Sequence, residues 1–286
     1  METIIGLGSA GCNIAEKFAQ YPQYNILRID TEKRKGEDFK LIPKQDSHEA
    51  YEMNCPSFKK LFEDVTEDCL VIVGGSGKVS GLLLRMLEQL SHRKVGISVL
   101  YIQPDVEALP RMAKMQEKVV FQILQQYARS AMFKRLYLVS NPSIEDILGE
   151  LPIRGYFDKI NEFLTSTIHM INIFDNSEPL MSTFETPTES ARISTFGILD
   201  IENNEEKLFY PLIFPRERLY YYAIGNERLE SERGLYKKIL SFVKGRTDGN
   251  KVRSSYSIYP TDYSDDYVYS TTHSSLIQGE KNGDSL

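Results

Sequence analysis

The sequence is poor in the residues that build covalent and metal frameworks. It holds three cysteines, Cys12, Cys55 and Cys69, in neither a paired nor a metal-binding spacing. That excludes a disulfide scaffold and points to a reducing compartment. Four scattered histidines, His48, His92, His169 and His273, argue against zinc, and no metal ligand set is expected. Basic residues are outnumbered, 34 against 40 acidic, for a net charge of −6, and no basic run interleaves with aromatics. A nucleic-acid surface is therefore not expected. No apolar run reaches the ~18 residues of a membrane span. Met1 and Glu2 lead straight into a strand rather than a signal peptide. The expectation is a cytoplasmic protein with neither membrane nor nucleic acid as partner. No internal repeat is present.

What is present begins at residue 4. Ile4, Ile5 and Leu7 read as a buried parallel strand that runs into Gly6, Gly8 and Gly11. Ile14, Ala15, Phe18 and Ala19 then recur at helical spacing. Glycines at such a turn let the backbone approach a phosphate, and a helix N-terminus offers free N–H groups to an anion. Strands at 25–30, 69–73, 95–102 and 135–139 alternate with helices at 56–65, 82–90 and 112–129. The charged stretch 32–50 reads as loop. This alternation predicts an α/β fold with a doubly wound parallel sheet and ligands at the strand C-termini. A second glycine-rich loop, Gly74, Gly75, Ser76, Gly77, Lys78, follows the strand at 69–73, so both loops belong on one rim. It lacks the spacing of a P-loop.

Residues 156–174 form a long, strongly apolar helical pattern, and 176–190 a polar loop with Pro179 and Pro187. Strands at 193–201, 208–214, 219–224, 252–259 and 267–274, with a helix at 231–244, predict a smaller α+β domain. Its tyrosines alternate as in a half-buried sheet. The expected organisation is a nucleotide-binding domain at 1–155, a central helix at 156–175, a linker at 176–190, a C-terminal domain at 191–278 and a flexible tail at 279–286.

Gly6-x-Gly8-x-x-Gly11 with Asp30 downstream also matches a dinucleotide fingerprint. A Rossmann-type NAD(P)-binding oxidoreductase is thus one alternative, though it leaves the loop at 74–78 without a task. A nucleotide-free structural or adaptor protein is another.

The combination of the two loops resembles the tubulin/FtsZ family. Gly8, Ser9, Ala10, Gly11 and Asn13 are similar to that family's first nucleotide loop, and residues 74–81 to a degraded form of its phosphate loop. Pro104-x-x-Glu107-x-x-x-Arg111 resembles the loop beside the ribose. Phe157-x-x-x-Asn161 resembles the start of the central helix, where an aromatic stacks on guanine and an asparagine reads its edge. The resemblance implies GTP or GDP with Mg2+ as cofactors, phosphate contacts at Gly8–Gly11 and Gly74–Lys78, ribose contacts at Glu107 and Arg111, and base contacts at Asn13, Phe157 and Asn161. It also implies self-association, head to tail, into cytoskeletal filaments.

Each of these residues has a plainer reading. Asn13 serves equally as a helix cap, Phe157 as core, Glu107 and Arg111 as a surface pair, and Lys78 as a solvated charge. The resemblance breaks at the acidic Asn-x-Asp-x-x-Asp loop that completes hydrolysis in trans, which should fall near residues 180–187. Only Glu185 and Glu189 stand there, without its spacing. Since positioning and electrostatics carry phosphoryl transfer, the expectation is at most a slow GTPase.

Overall fold

Strand and helix alternate through the first 150 residues because apolar runs of five to seven residues are punctuated by glycine or polar turns. The structure, a computed structural model, describes residues 3–36, 38–249 and 251–279. The chain divides into two units, residues 1–166 and 167–286. Of the expected flexible tail, 280–286 lie outside the described residues.

In the first unit, β1 (Thr3–Leu7), α1 (Gly8–Phe18), β2 (Asn25–Asp30), β3 (Phe39–Leu41), α2 (His48–Met53), β4 (Cys69–Gly74), α3 (Leu83–Ser91), β5 (Ile97–Gln103), α4 (Arg111–Arg129), β6 (Arg135–Ser140) and α5 (Asn141–Leu148) follow in turn. The strands lie in the order β3-β2-β1-β4-β5-β6, all parallel. The order reverses between β1 and β4, and crevices for ligands open at such a switch point, outside the strand C-termini. Both glycine-rich loops leave from these two strands.

Residues 56–65 do not form the expected helix; they run through successive turns. Phe58, Phe62 and Val65 are buried, which explains the helical look of their spacing. The Phe58 N–H donates to Gln89 Oε1 at 2.7 Å, and a single i→i+4 bond, Phe62 N–H to the Phe58 carbonyl, gives one turn without propagation. The stretch 32–50 is not all loop either, since it holds β3 and the start of α2.

Helix α6 (Tyr156–Asp175) spans the boundary of the two units. The second unit then contains β7 (Met181–Ser182), β8 (Ile193–Asp200), β9 (Glu205–Leu208), β10 (Glu217–Gly225), α7 (Asn226–Ser231), α8 (Leu235–Gly245), β11 (Arg253–Thr261) and β12 (Tyr267–Ser274). Its strands lie in the order β8-β12-β10-β11-β7, with β9 paired to β8 and only β10/β11 parallel. The strand expected at 208–214 is displaced to Glu205–Leu208, because the turn at 201–204 closes a tight hairpin onto β8. The helix expected at 231–244 is broken: Gly234 takes φ +92, a left-handed conformation that ends α7 and starts α8 anew.

The tyrosines divide: Tyr267 and Tyr269 of β12 are half-buried as expected, while those of β10 and β11 are buried. Tyr220, Tyr221 and Tyr222 are each almost inaccessible, because both faces of the sheet are covered. Tyr220 and Tyr222 pack with Leu235, Ile239 and Val243 of α8. On the other face Phe174 stacks on Tyr259 and Tyr221, with centroids 4.5 and 6.1 Å apart. Each such pair adds about 0.5–1.5 kcal/mol beyond its buried area.

Candidate functional site

The loop after β1 is shaped first by packing. A Cβ on Gly6 would lie 2.5 Å from the Gly11 carbonyl oxygen, and one on Gly11 would lie 2.2 Å from that of Ile72 in β4. Only glycine lets α1 settle this close to the sheet. Gly8, at φ +69, makes the turn between strand and helix. Helix α1 has no side-chain cap on its N-terminus and no acidic residue in its first turn. Its leading N–H groups and the positive end of its dipole are thus left for an anion, worth about 0.3–1 kcal/mol per interaction at an exposed site.

The loop after β4 lies against the first. A Cβ on Gly74 would meet Ala10 Cβ at 3.2 Å, and one on Gly8 would meet Val79 Cβ at 3.6 Å. Gly75 is demanded by the core, since any side chain there would strike the Tyr101 hydroxyl, which donates to Glu117 Oε1 at 2.9 Å. Gly77 differs: no atom stands within 4 Å of a Cβ built on it. The Ser80 hydroxyl donates to the Gly77 carbonyl at 2.6 Å and fixes the loop there. Ser76 is part-exposed, and Lys78 is exposed at the head of a 3-10 turn, Lys78–Leu82, that has no side-chain cap either.

Asn13 is exposed on α1, and its side-chain oxygen accepts from Arg34 at 2.7 Å. Arg34 also reaches Asp30 Oδ2 (3.2 Å), the Ser9 carbonyl (3.4 Å) and Glu16 (3.6 Å). Ser9 itself donates to Asp30 at 3.3 Å. Arg34 is thus a hub over the first loop that sequence reasoning passed over, because it sits in a charged stretch without periodicity. Beneath it, burial pushes the Cys12 thiol up to about 12, and the thiol bonds to the Gly6 and Ile29 carbonyls.

The start of α6 is tied to α1 by the Lys17–Asp158 ion pair at 3.6 Å. Phe157, 63% exposed, packs edge-on to Tyr156, whose hydroxyl donates to Glu145 at 2.7 Å. Asn161, one turn on, is buried, and no hydrogen-bond partner for its amide is found among the described residues. Glu107 and Arg111 are exposed, and they do not pair with each other: Glu107 takes Lys114 at 3.0 Å. In the second unit Glu185 is held by Arg253 at 2.7 Å, while Glu189 is exposed. Among the described residues no cluster of three or more His, Cys, Asp or Glu side chains is placed to hold a metal, and no helix is long and apolar enough to cross a membrane.

No family model and no curated protein matches the chain. Solved structures do. An empty FtsZ dimer from M. jannaschii is 12% identical, covers 99% of this chain and 94% of its own, and superposes with a TM-score of 0.70. A GTPγS-form TubZ protofilament from Bacillus thuringiensis serovar israelensis is 14% identical over 96% of this chain and 86% of its own, at 0.73. A GTPγS-bound CetZ2 protofilament from Haloferax volcanii is 15% identical over 96% and 92%, at 0.71. The fold is tubulin/FtsZ-like.

Proposed function

We propose that the chain is a guanine-nucleotide-binding cytoskeletal protein that assembles head to tail and turns GTP over slowly or not at all. The apposition of two bare-backbone loops at the β1/β4 switch point carries this reading, with α1 uncapped and Gly77 facing open space. In it, Gly8–Gly11 and Gly74–Lys78 cradle the phosphates of GTP or GDP. Asn13, Phe157 and Asn161 take the base. Glu107 and Arg111 border the ribose. Mg2+ rides on the phosphates, as it commonly does with few protein ligands. The protofilament and GTPγS or GDP forms of the TubZ and CetZ2 structures support assembly and the choice of nucleotide. Slow turnover rests on the missing acidic loop and on the engagement of Glu185 by Arg253.

The oxidoreductase alternative needs Asp30 free for a ribose, yet its carboxylate already serves Ser9 and Arg34. Thermal shift with GTP, GDP, ATP and NADH tests both. A ligand at a hundredfold its Kd stabilises by about 2.7 kcal/mol, roughly 5–10 °C for a chain of this size. GTP and GDP should give that shift and ATP and NADH should not. An equal response to ATP removes the guanine assignment, and a response to NADH alone restores the rival. Pelleting and phosphate release with GTP then test assembly and turnover.

A further inference from the structure

We infer that the second unit holds a binding site for a small amphipathic acid, an apolar body with a single carboxylate, in the cavity between α8 and the β8–β9 hairpin. The cavity measures about 790 Å³, within the ~300–1,000 Å³ usual for ligand sites. Its lining is largely apolar: Leu199 of β8 and Leu235 and Ile239 of α8 are buried there, with the partly buried Ile201 and Phe242 beside them. Tyr222 of β10 also lines it, at 2% exposure. Tyr220, two residues earlier on the same face, gives its hydroxyl to Glu206 at 3.1 Å. The Tyr222 hydroxyl bonds to no group among the described residues, and it is not sealed off either, so it is left to the cavity. Burial, and after it the Glu206 charge, raises this hydroxyl above the ordinary tyrosine value and keeps it a neutral donor.

The charges around this lining are unequal. Glu202, the acid of the wall, is paired with Arg228 at 2.9 Å, and Arg228 is engaged by Glu232 and Asp266 as well. Lys238 is held by Glu232 at 2.7 Å. That leaves Arg246 and Lys237. The Arg246 guanidinium lies over the Phe242 ring, 4.8 Å from its centroid, and donates to the Asn204 carbonyl at 3.4 Å. Its carboxylate neighbour, Glu206, is 4.0 Å away and already accepts from Tyr220 and from Ser270 at 2.8 Å. Lys237 is exposed and makes no ion pair among the described residues. An apolar lining with one hydroxyl donor and two spare cations complements a ligand that is apolar over most of its surface and negative at one end. A polyphosphate or a sugar would cover this lining with polar groups that it cannot answer, and a neutral hydrocarbon would leave its donors without acceptors.

Calorimetry with decanoate, on the full chain, tests the site. The wild type should bind one decanoate, and decanol, the same tail without the charge, should bind roughly tenfold more weakly, the worth of one charge-assisted contact. Gly245 closes α8 and lines the cavity; its φ is not positive, and outside its own turn no atom stands within 4 Å of a Cβ built on it. Gly245→Leu should therefore fill the cavity and weaken decanoate by roughly tenfold or more, while the melting temperature holds or rises because glycine is a poor helix former. Ser241→Trp, at an exposed lining position, gives the same direction if Gly245→Leu does not fold. Lys237→Glu should weaken decanoate and leave decanol unchanged, and saturating GTP should leave the titration as it was. Decanoate binding that survives both filling variants, or that GTP displaces, overturns the inference, as does a wild type that binds no decanoate. Decanol binding as tight as that of decanoate removes the carboxylate and the inference with it.

Discussion

Arg34 donates to the Asn13 side-chain oxygen at 2.7 Å and so occupies the group that the proposed site offers to a guanine edge. Nucleotide binding has to displace this bond or absorb it. Arg34→Ala removes the competitor together with a partner of Asp30. The free protein should melt lower by about 1 kcal/mol, the usual size of a part-exposed charged contact, while GTP affinity stays equal or rises. Titration by fluorescence or calorimetry checks this; a tenfold loss of affinity would instead make Arg34 a nucleotide contact.

The glycines of the two loops should separate into two kinds. Gly11→Ala drives a methyl into the Ile72 carbonyl and should cost on the order of 3 kcal/mol, read as a fall in melting temperature with or without ligand. Gly77→Val, in extended backbone at φ −80 with no neighbour within 4 Å, should leave stability alone and weaken GTP binding at least tenfold.

Asn161→Ala should abolish the preference for GTP over ATP without unfolding the chain, since it removes an amide but no hydrogen bond within the described residues. Phe157→Ala, at an exposed ring, should cost about 1–3 kcal/mol of nucleotide affinity, the worth of one base stacked on an aromatic. Competition between GTP and ATP measures both.

Alkaline pH should destabilise the fold through its buried thiols. Burial pushes both Cys12 and Cys69 from 9.0 up to about 12. A folded pKa raised above the unfolded one means stability that is full below pH 9 and is lost as pH climbs from 9 toward 12, because the unfolded chain gives up its protons first. The slope is about 1.4 kcal/mol per pH unit for each thiol. Melting temperatures from pH 8 to 11 should fall more steeply for the wild type than for Cys12→Ala. At pH 8 an alkylating agent should modify only the part-exposed Cys55.

Glu185→Gln should leave any GTP hydrolysis within twofold of the wild type, because the carboxylate is spent on Arg253 and not on a water. Phosphate release per subunit decides it; a loss beyond tenfold would return Glu185 to the catalytic role.

Much of the first unit was legible in advance, because strands such as Asn25–Asp30 and Arg135–Ser140 are short apolar runs between turn residues, and local patterning suffices to define them. The two glycine-rich loops and their shared rim were legible for the same reason. Failures came where distant partners decide. Phe58, Phe62 and Val65 have helical spacing, yet Gln89 captures a backbone N–H and the segment turns. The run at 231–244 looks like one helix, yet Gly234 divides it.

By itself, then, the amino-acid order determined most strands of the first sheet, though not Phe39–Leu41, that two of them run into glycine-rich loops, and that residues 180–187 lack the Asn-x-Asp-x-x-Asp spacing of the resembled family. Those are local properties, set by side-chain periodicity and backbone freedom within a few residues. Only the tertiary structure decided that Gly11 and Gly75 serve packing while Gly77 is open, and that Arg34 closes over Asn13. Each depends on groups brought together from strands far apart in sequence, and neither distance nor charge balance between such groups is written in the periodicity of either segment.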